Sequence, residues 1–256
     1  MRSWQFGPPE ARAINPPDPA RVAFLLAQPF AHRGLHDRLR VENSRSAFRA
    51  AIATGHGIEL DIQPASGSEP FVFHDDDLER LTQQRGRVDV RHADDVAQIA
   101  LAGTDETIPR LDEILSLIAE RVPVLIEIKT PRHRHVALCM AVRRALEGYR
   151  GDAAIMSFDP RIPAWFADHA PRIVRGLVVT DGNPHGGRIR QKIERTLALR
   201  LAKPDFVACD VRDLPSPTSI AARKRGLPVL TWTVRDAESR AIAAEYADQP
   251  IYEREP

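Results

Sequence analysis

The chain has 256 residues, 43% of them hydrophobic and 28% charged, the balance of an ordinary globular protein. A formal net charge of +1 carries no basic excess of the kind that binds nucleic acid, and two cysteines are too few for a disulfide framework. The length suits one α/β barrel, for which about 250 residues is typical.

Pro8, Pro9, Pro16, Pro17 and Pro19 make residues 1–20 an extended or loosely docked arm that Trp4 and Phe6 can pin to the body. A short helix is expected from Asp18 or Pro19 to Ala27, with Asp18 as its cap. Its apolar run, Val22 to Ala27, is too short to cross a membrane and lacks a basic segment before it. No integral membrane segment is therefore expected, and a cytoplasmic setting is the default. Residues 1–29 read as arm and helix, and residues 30–256 as one barrel domain.

A first strand ends in Phe30-Ala31-His32-Arg33-Gly34. A loop with Glu42-Asn43-Ser44 leads into a helix carrying Ala47, Phe48, Ala51 and Ile52, capped by Asn43 or Ser44 and closed by Gly55 or Gly57. Gly57-Ile58-Glu59-Leu60-Asp61-Ile62 reads as a mostly buried strand, and the period of two puts Glu59 and Asp61 on one face. At about 5 Å and an effective dielectric near 20 they repel by about 3 kcal/mol, so a cationic group has to offset them. Too few residues separate this strand from Phe71-Val72-Phe73-His74-Asp75 for a crossover helix, which breaks the strand–helix alternation. Residues 76–108 are polar and read as an elaborated loop with a short helix near Ala93–Leu101. A helix over Leu111–Ile118 precedes the strand Val124-Leu125-Ile126-Glu127-Ile128-Lys129, where Glu127 and Lys129 share a face.

From there the alternation is regular. Helices are expected near 135–146, 163–169, 188–201, 218–224 and 236–246. Strands are expected at 154–158, 173–180, 206–211 and 229–234, with a terminal strand or arm at 250–252. Repeated alternation of this kind means a parallel sheet closing into a TIM-like (β/α)8 barrel. Counting His74's strand and the terminal one gives nine candidates, so at least one lies outside an eightfold barrel.

Barrel enzymes place their chemistry at the carboxyl ends of strands. His32, His74 and Lys129 end apolar runs, and Glu59, Asp61 and Glu127 lie within them. Three carboxylates without a thiolate suit a hard divalent cation, Mg²⁺ or Ca²⁺. The acids and that ion together leave one negative charge, and Arg33 and Lys129 turn the balance to one positive. That matches the single charge of a phosphodiester, which two flanking histidines can serve as general acid and base. Asp76 and Asp77 read as loop and helix-start acids, because consecutive residues do not converge on one ion. Pro131-Arg132-His133-Arg134-His135 reads as a solvated basic helix start. Glu42 reads as a partner of a catalytic residue in preference to a helix-start acid.

These stretches resemble the glycerophosphodiester phosphodiesterase family. The resemblance is carried in order by Ala31-His32-Arg33-Gly34, Glu42-Asn43-Ser44, Glu59-Leu60-Asp61-Ile62-Gln63 and His74 to Thr82. It continues through Ile108 to Glu113, Ile126-Glu127-Ile128-Lys129, Ser157-Phe158 and Trp232-Thr233-Val234. It implies a barrel of metal-dependent hydrolases that release an alcohol and glycerol phosphate from a small glycerophosphodiester. It implies His32 and His74 as the acid–base pair and Glu59, Asp61 and Glu127 as metal ligands. Arg33 and Lys129 would contact phosphate and Trp232 would wall the pocket. Two departures stand out: Ala65 to Glu69 replaces an Asp-Gly turn, and Glu245 to Glu253 replaces the family's usual ending at the pocket's last wall. Two alternatives stand beside this reading, a phospholipase-D-like enzyme acting on lysophospholipids and a catalytically silent barrel that binds phosphorylated metabolites.

Overall fold

A computed structural model describes residues 16–129, 135–181 and 188–254. Its nine strands are β1 (Phe30–Ala31), β2 (Gly57–Pro64), β3 (Pro70–Val72), β4 (Val124–Ile128), β5 (Ala153–Ser157), β6 (Val174–Val179), β7 (Phe206–Asp210), β8 (Val229–Val234) and β9 (Gln249–Tyr252). β1 pairs in parallel with both β2 and β9, and the remaining parallel pairs run β2–β4–β5–β6–β7–β8–β9. The sheet therefore closes on itself as an eight-stranded parallel barrel, as expected. β3 is the strand outside it. It doubles back antiparallel to β2, with Ile62 opposite Val72 and Pro64 opposite Pro70. A turn through Ser68 and Gly67, both at positive φ, makes this reversal in place of the Asp-Gly turn.

Ten helices lie among the described residues: α1 (Pro19–Val22), α2 (Phe24–Ala27), α3 (Arg45–Thr54), α4 (Ala93–Val96), α5 (Leu111–Ile118), α6 (His135–Ala145), α7 (Arg161–His169), α8 (Arg188–Ala202), α9 (Pro217–Lys224) and α10 (Ala237–Tyr246). Asp18 caps α1, Ser44 caps α3, and Gly55 in a left-handed conformation closes α3. Two expectations are corrected. The first helix is divided into two successive single turns at Ala23, whose backbone itself stays in the helical region (φ −56°, ψ −36°). The helix expected to reach Leu101 ends at Val96, and Ala100 and Leu101 instead bridge to Thr107 and Thr82. The expected arm with Trp4 and Phe6, and most of the basic run at 131–135, lie outside the described residues.

Strand alternation divides the core. Ile58, Leu60, Ile62, Val124, Ile126 and Ile128 face outward and pack beneath α3, α5 and α6. Leu125, Ala154, Met156, Phe206, Ala208 and Leu230 fill a second cluster inside the ring. Val22 and Leu25 join that inner cluster, so α1 and α2 close the barrel's amino-terminal mouth. Cys139 and Cys209 are buried free thiols, and burial pushes both up to about 12. No described helix is long and apolar enough to cross a membrane.

Leu25 has no exposed surface. Leu25→Ala should destabilise the protein by about 2–5 kcal/mol if the closure carries weight. Urea unfolding checks this, and a loss below about 1 kcal/mol would mean that the barrel does not depend on this closure.

Candidate active site

β2 and β4 lie side by side, with Asp61 and Glu127 as register partners. Glu59 sits two positions earlier on the same inward face. One oxygen from each of Glu59, Asp61 and Glu127 lies within 4.8 Å of the others, and the residues are only 1%, 1% and 8% exposed. Two residues at positive φ serve this triad from the loops after β1. Arg33 (φ 56°) donates its backbone N–H to Glu59 Oε2 at 3.0 Å. Asn43 (φ 58°) donates Nδ2 to Asp61 Oδ2 at 3.0 Å and accepts the Asp61 N–H at 3.3 Å. Gly34 lets the chain pass α3 here: a Cβ would stand 2.9 Å from Phe48 and 3.0 Å from Ala47.

Electrostatics divide the three acids. Burial alone would raise the Asp61 pKa, but Lys129 Nζ at 3.1 Å and Arg33 Nε at 3.2 Å outweigh it and bring it down to about 2. Glu127 is held up by burial even though Lys129 Nζ lies 2.5 Å from its Oε1. Glu59 is raised well above the ordinary range by burial and by the charges of Asp61 and Glu127. Its Oε1 is buried without a hydrogen-bond partner. An unpartnered buried carboxylate oxygen beside two more carboxylates is the donor set a hard divalent cation requires, so the residues fit the expected Mg²⁺ or Ca²⁺.

The two histidines flank this centre. His32 Nδ1 lies 2.6 Å from Glu253 Oε1, and its Nε2 lies 3.9 Å from Glu59 Oε2. His74 follows β3 with Nδ1 2.6 Å from Asp75 Oδ1, while Gln63 Nε2 donates to the His74 carbonyl at 3.0 Å. Arg80 donates Nε to Asp75 Oδ2 at 2.5 Å and Nη1 to Glu42 Oε2 at 2.8 Å. Arg33 Nη1 completes the chain on Glu42 Oε1 at 2.7 Å. Glu42 thus bridges Arg33 and Arg80. Asp76 accepts from Gln63 and pairs with Arg87, away from the triad.

His32, Arg33, Glu59, Asp61, His74, Glu127, Lys129 and Trp232 all line one cavity of about 360 Å³, and Glu42 stands behind Arg33. Trp232 donates Nε1 to the Ala208 carbonyl at 3.1 Å and meets Phe158 edge-to-face at 5.5 Å, forming an aromatic wall. Sequence reasoning missed four contributors. The sequence offers Asn43 only as an alternative to Ser44 for a helix cap, gives Asp75 and Arg80 no role within their motif, and shows Glu253 only as part of an atypical ending. An Asn directly before a Ser that already caps the helix was the available signal for the first; nothing local marks Glu253.

An eight-stranded parallel barrel with a buried acidic triad between two histidines defines a TIM-barrel protein with a candidate metal site. Residues 32–251 match the Glycerophosphoryl diester phosphodiesterase family, and the chain belongs to it. It is 29% identical over 163 residues to a glycerophosphodiester phosphodiesterase of Bacillus altitudinis, covering 59% of this chain and 66% of the relative. It is 27% identical over 175 residues to human glycerophosphodiester phosphodiesterase 1, covering 63% of this chain and 51% of the relative. The alignments thus span less than two thirds of either relative. Among solved structures, an Oleispira antarctica phosphodiesterase in complex with the product sn-glycerol-3-phosphate superposes with a TM-score of 0.77 at 20% identity, covering 89% of this chain and 93% of that one. A glycerophosphodiester phosphodiesterase from Thermotoga maritima gives 0.69 at 22% identity, covering 88% and 94%. At these identities the structural likeness establishes the barrel fold.

The raised Glu59 has a consequence for stability. Its folded pKa lies above the unfolded value of 4.5, so the metal-free protein loses stability as pH rises above 4.5. Glu59→Gln removes that loss and can still accept from Arg33. In EDTA the variant should melt above the wild type at pH 7, with the gap closing toward pH 4.5; Mg²⁺ or Ca²⁺ should stabilise the wild type more than the variant. Calorimetry checks both, and a variant that melts lower in EDTA at pH 7 would contradict the charge argument.

Proposed function

We propose that the protein hydrolyses glycerophosphodiesters to glycerol 3-phosphate and an alcohol, with one divalent cation, Mg²⁺ or Ca²⁺, held by Glu59, Asp61 and Glu127. The observation that carries this reading is the buried triad itself, with an unpartnered Glu59 oxygen, two cationic side chains on its rim and a histidine on either side. The proposal takes residues 30–256 as the catalytic barrel, and a cytoplasmic setting, for which the two buried free thiols are the support.

Bound at the triad, the cation would supply Lewis-acid polarisation of a phosphoryl oxygen. The side chains account for the rest. Arg33 and Lys129, one on each oxygen of Asp61, both line the cavity and would present positive charge to the phosphate. Each histidine has its Nδ1 occupied by a carboxylate, which leaves Nε2 as the nitrogen that exchanges protons with the substrate. One histidine takes the proton of the attacking hydroxyl, either that of water or that of the substrate's own glycerol, in which case a cyclic phosphate forms and water then opens it to glycerol 3-phosphate. The other gives a proton to the alcohol oxygen as its P–O bond breaks. Trp232 and Phe158 form an aromatic wall of the same cavity.

Release of glycerol 3-phosphate from a panel of glycerophosphodiesters, including the choline and ethanolamine esters, tests the proposal. Activity should vanish in EDTA and return with Mg²⁺ or Ca²⁺. His32→Ala should cost about 10²–10⁴-fold in kcat, and Glu59→Ala should lose cation-restored activity. A folded, cation-loaded protein with no turnover would defeat the assignment. Lysophospholipids would then be assayed for the phospholipase-D-like alternative, and binding of phosphorylated metabolites for the silent barrel.

A further inference from the structure

We propose that Glu253, clamped by Arg235, is a positioning residue for His32: it fixes the tautomer protonated at Nδ1 and aims Nε2 at the acidic triad. The inference rests on the proposed hydrolysis for its kinetic consequence, and on geometry alone for the tautomer.

The juxtaposition follows from the barrel's closing seam. β9 lies between β1 and β8, with Tyr252 in register with both Ala31 and Val234. The residues that follow these three strand ends are His32, Glu253 and Arg235. His32 donates its backbone N–H to the Tyr252 carbonyl at 2.9 Å, and Glu253 donates its own to the Val234 carbonyl at 3.0 Å. Ladder hydrogen bonds thus set the Glu253 side chain between an imidazole and a guanidinium.

Both carboxylate oxygens are used. Oε1 lies 2.6 Å from His32 Nδ1 and accepts from Arg235 Nη2 at 2.9 Å, while Oε2 accepts from Arg235 Nε at 2.6 Å. The two-pronged Arg235 contact fixes the carboxylate plane. His36 Nε2 stands off at 3.9 Å from Oε1. Burial would raise the Glu253 pKa, but the His32 and Arg235 hydrogen bonds override it and hold the group well below the usual carboxylate range. An ionised carboxylate only accepts, so the hydrogen on Nδ1 is fixed and the Nε2 lone pair faces inward. Glu253 lies just beyond residue 251, where the family match ends, in the segment that departs from the family's usual ending.

Long-range ¹H–¹⁵N correlation of protein labelled at its histidine ring nitrogens reads the tautomer without any substrate. In the wild type, neutral His32 should carry its proton on Nδ1. In Glu253→Ala, and in Glu253→Met, which keeps side-chain volume without an acceptor, a large part of the population should move to Nε2–H. Against glycerophosphodiesters these variants should lose about 10- to 100-fold in kcat with KM within about twofold. Arg235→Met, which leaves the carboxylate but frees its plane, should lose less. Retention of the Nδ1 proton in a folded Glu253 variant, or kcat within about twofold of wild type, would overturn the inference. Should the wild type turn over no substrate, the hydrolytic reading falls while the tautomer measurement still decides this one.

Discussion

Three carboxylates buried within 4.8 Å of one another are the constraint around which this barrel is built. Such a cluster persists only where its charges are offset and its lone pairs occupied. The protein offsets them in shared fashion. Lys129 serves Asp61 and Glu127; Arg33 serves Asp61 through its guanidinium, Glu59 through its backbone N–H, and Glu42 behind them. Arg80 then joins Glu42 to Asp75, and Asp75 holds His74. The chain of alternating charge runs from the triad to one of the histidines, so the same contacts that offset the acids also fix the geometry around the cavity.

One strand face carries both stability and chemistry. On β4, Leu125 and Glu127 point inward from the same face, the first into the apolar filling of the barrel and the second into the triad. The inner face thus changes from apolar to acidic within two residues. Below that level, Phe30, Phe206 and Leu230 exclude water, with Val22 and Leu25 of α1 and α2 among them. The low-dielectric floor raises the cost of leaving Glu59 unpartnered, and it strengthens any charge interaction made there.

Much of this was legible because it is local. The period of two in Glu59-Leu60-Asp61 and Glu127-Ile128-Lys129 places side chains on one face without knowledge of the fold, and the regular alternation after Lys129 leads to a parallel barrel. What was not legible depends on register between distant strands or on backbone conformation. Asn43 follows a cap-like pattern, yet its positive φ turns its amide to Asp61 while Ser44 takes the cap. At β3 the short connection excludes a parallel crossover, but the register of Ile62 against Val72 is not marked in it. Glu253 is separated from His32 by 221 positions, and only the ring's closure through β9 makes them neighbours. An ending that departs from a family pattern looks in sequence like a lost wall. In three dimensions it supplies a carboxylate to the first histidine.

The two histidines therefore sit in different settings, although both present Nδ1 to a carboxylate. His32 is anchored on the barrel seam, with its side chain 10% exposed and its carboxylate braced from another strand. Burial, with help from Arg33, lowers its pKa against the opposing pull of Glu253. His74 stands on the excursion after β3, with its side chain 29% exposed and braced by its own sequence neighbour. Environments that differ in this way are how one site assigns unlike proton-transfer roles to like side chains. The proposed reaction would give the two rings opposite proton-transfer roles, one ring buried beside the triad and the other nearer solvent. In the proposed reaction this asymmetry follows from topology: the barrel seam holds one histidine, and the single strand that leaves the barrel holds the other.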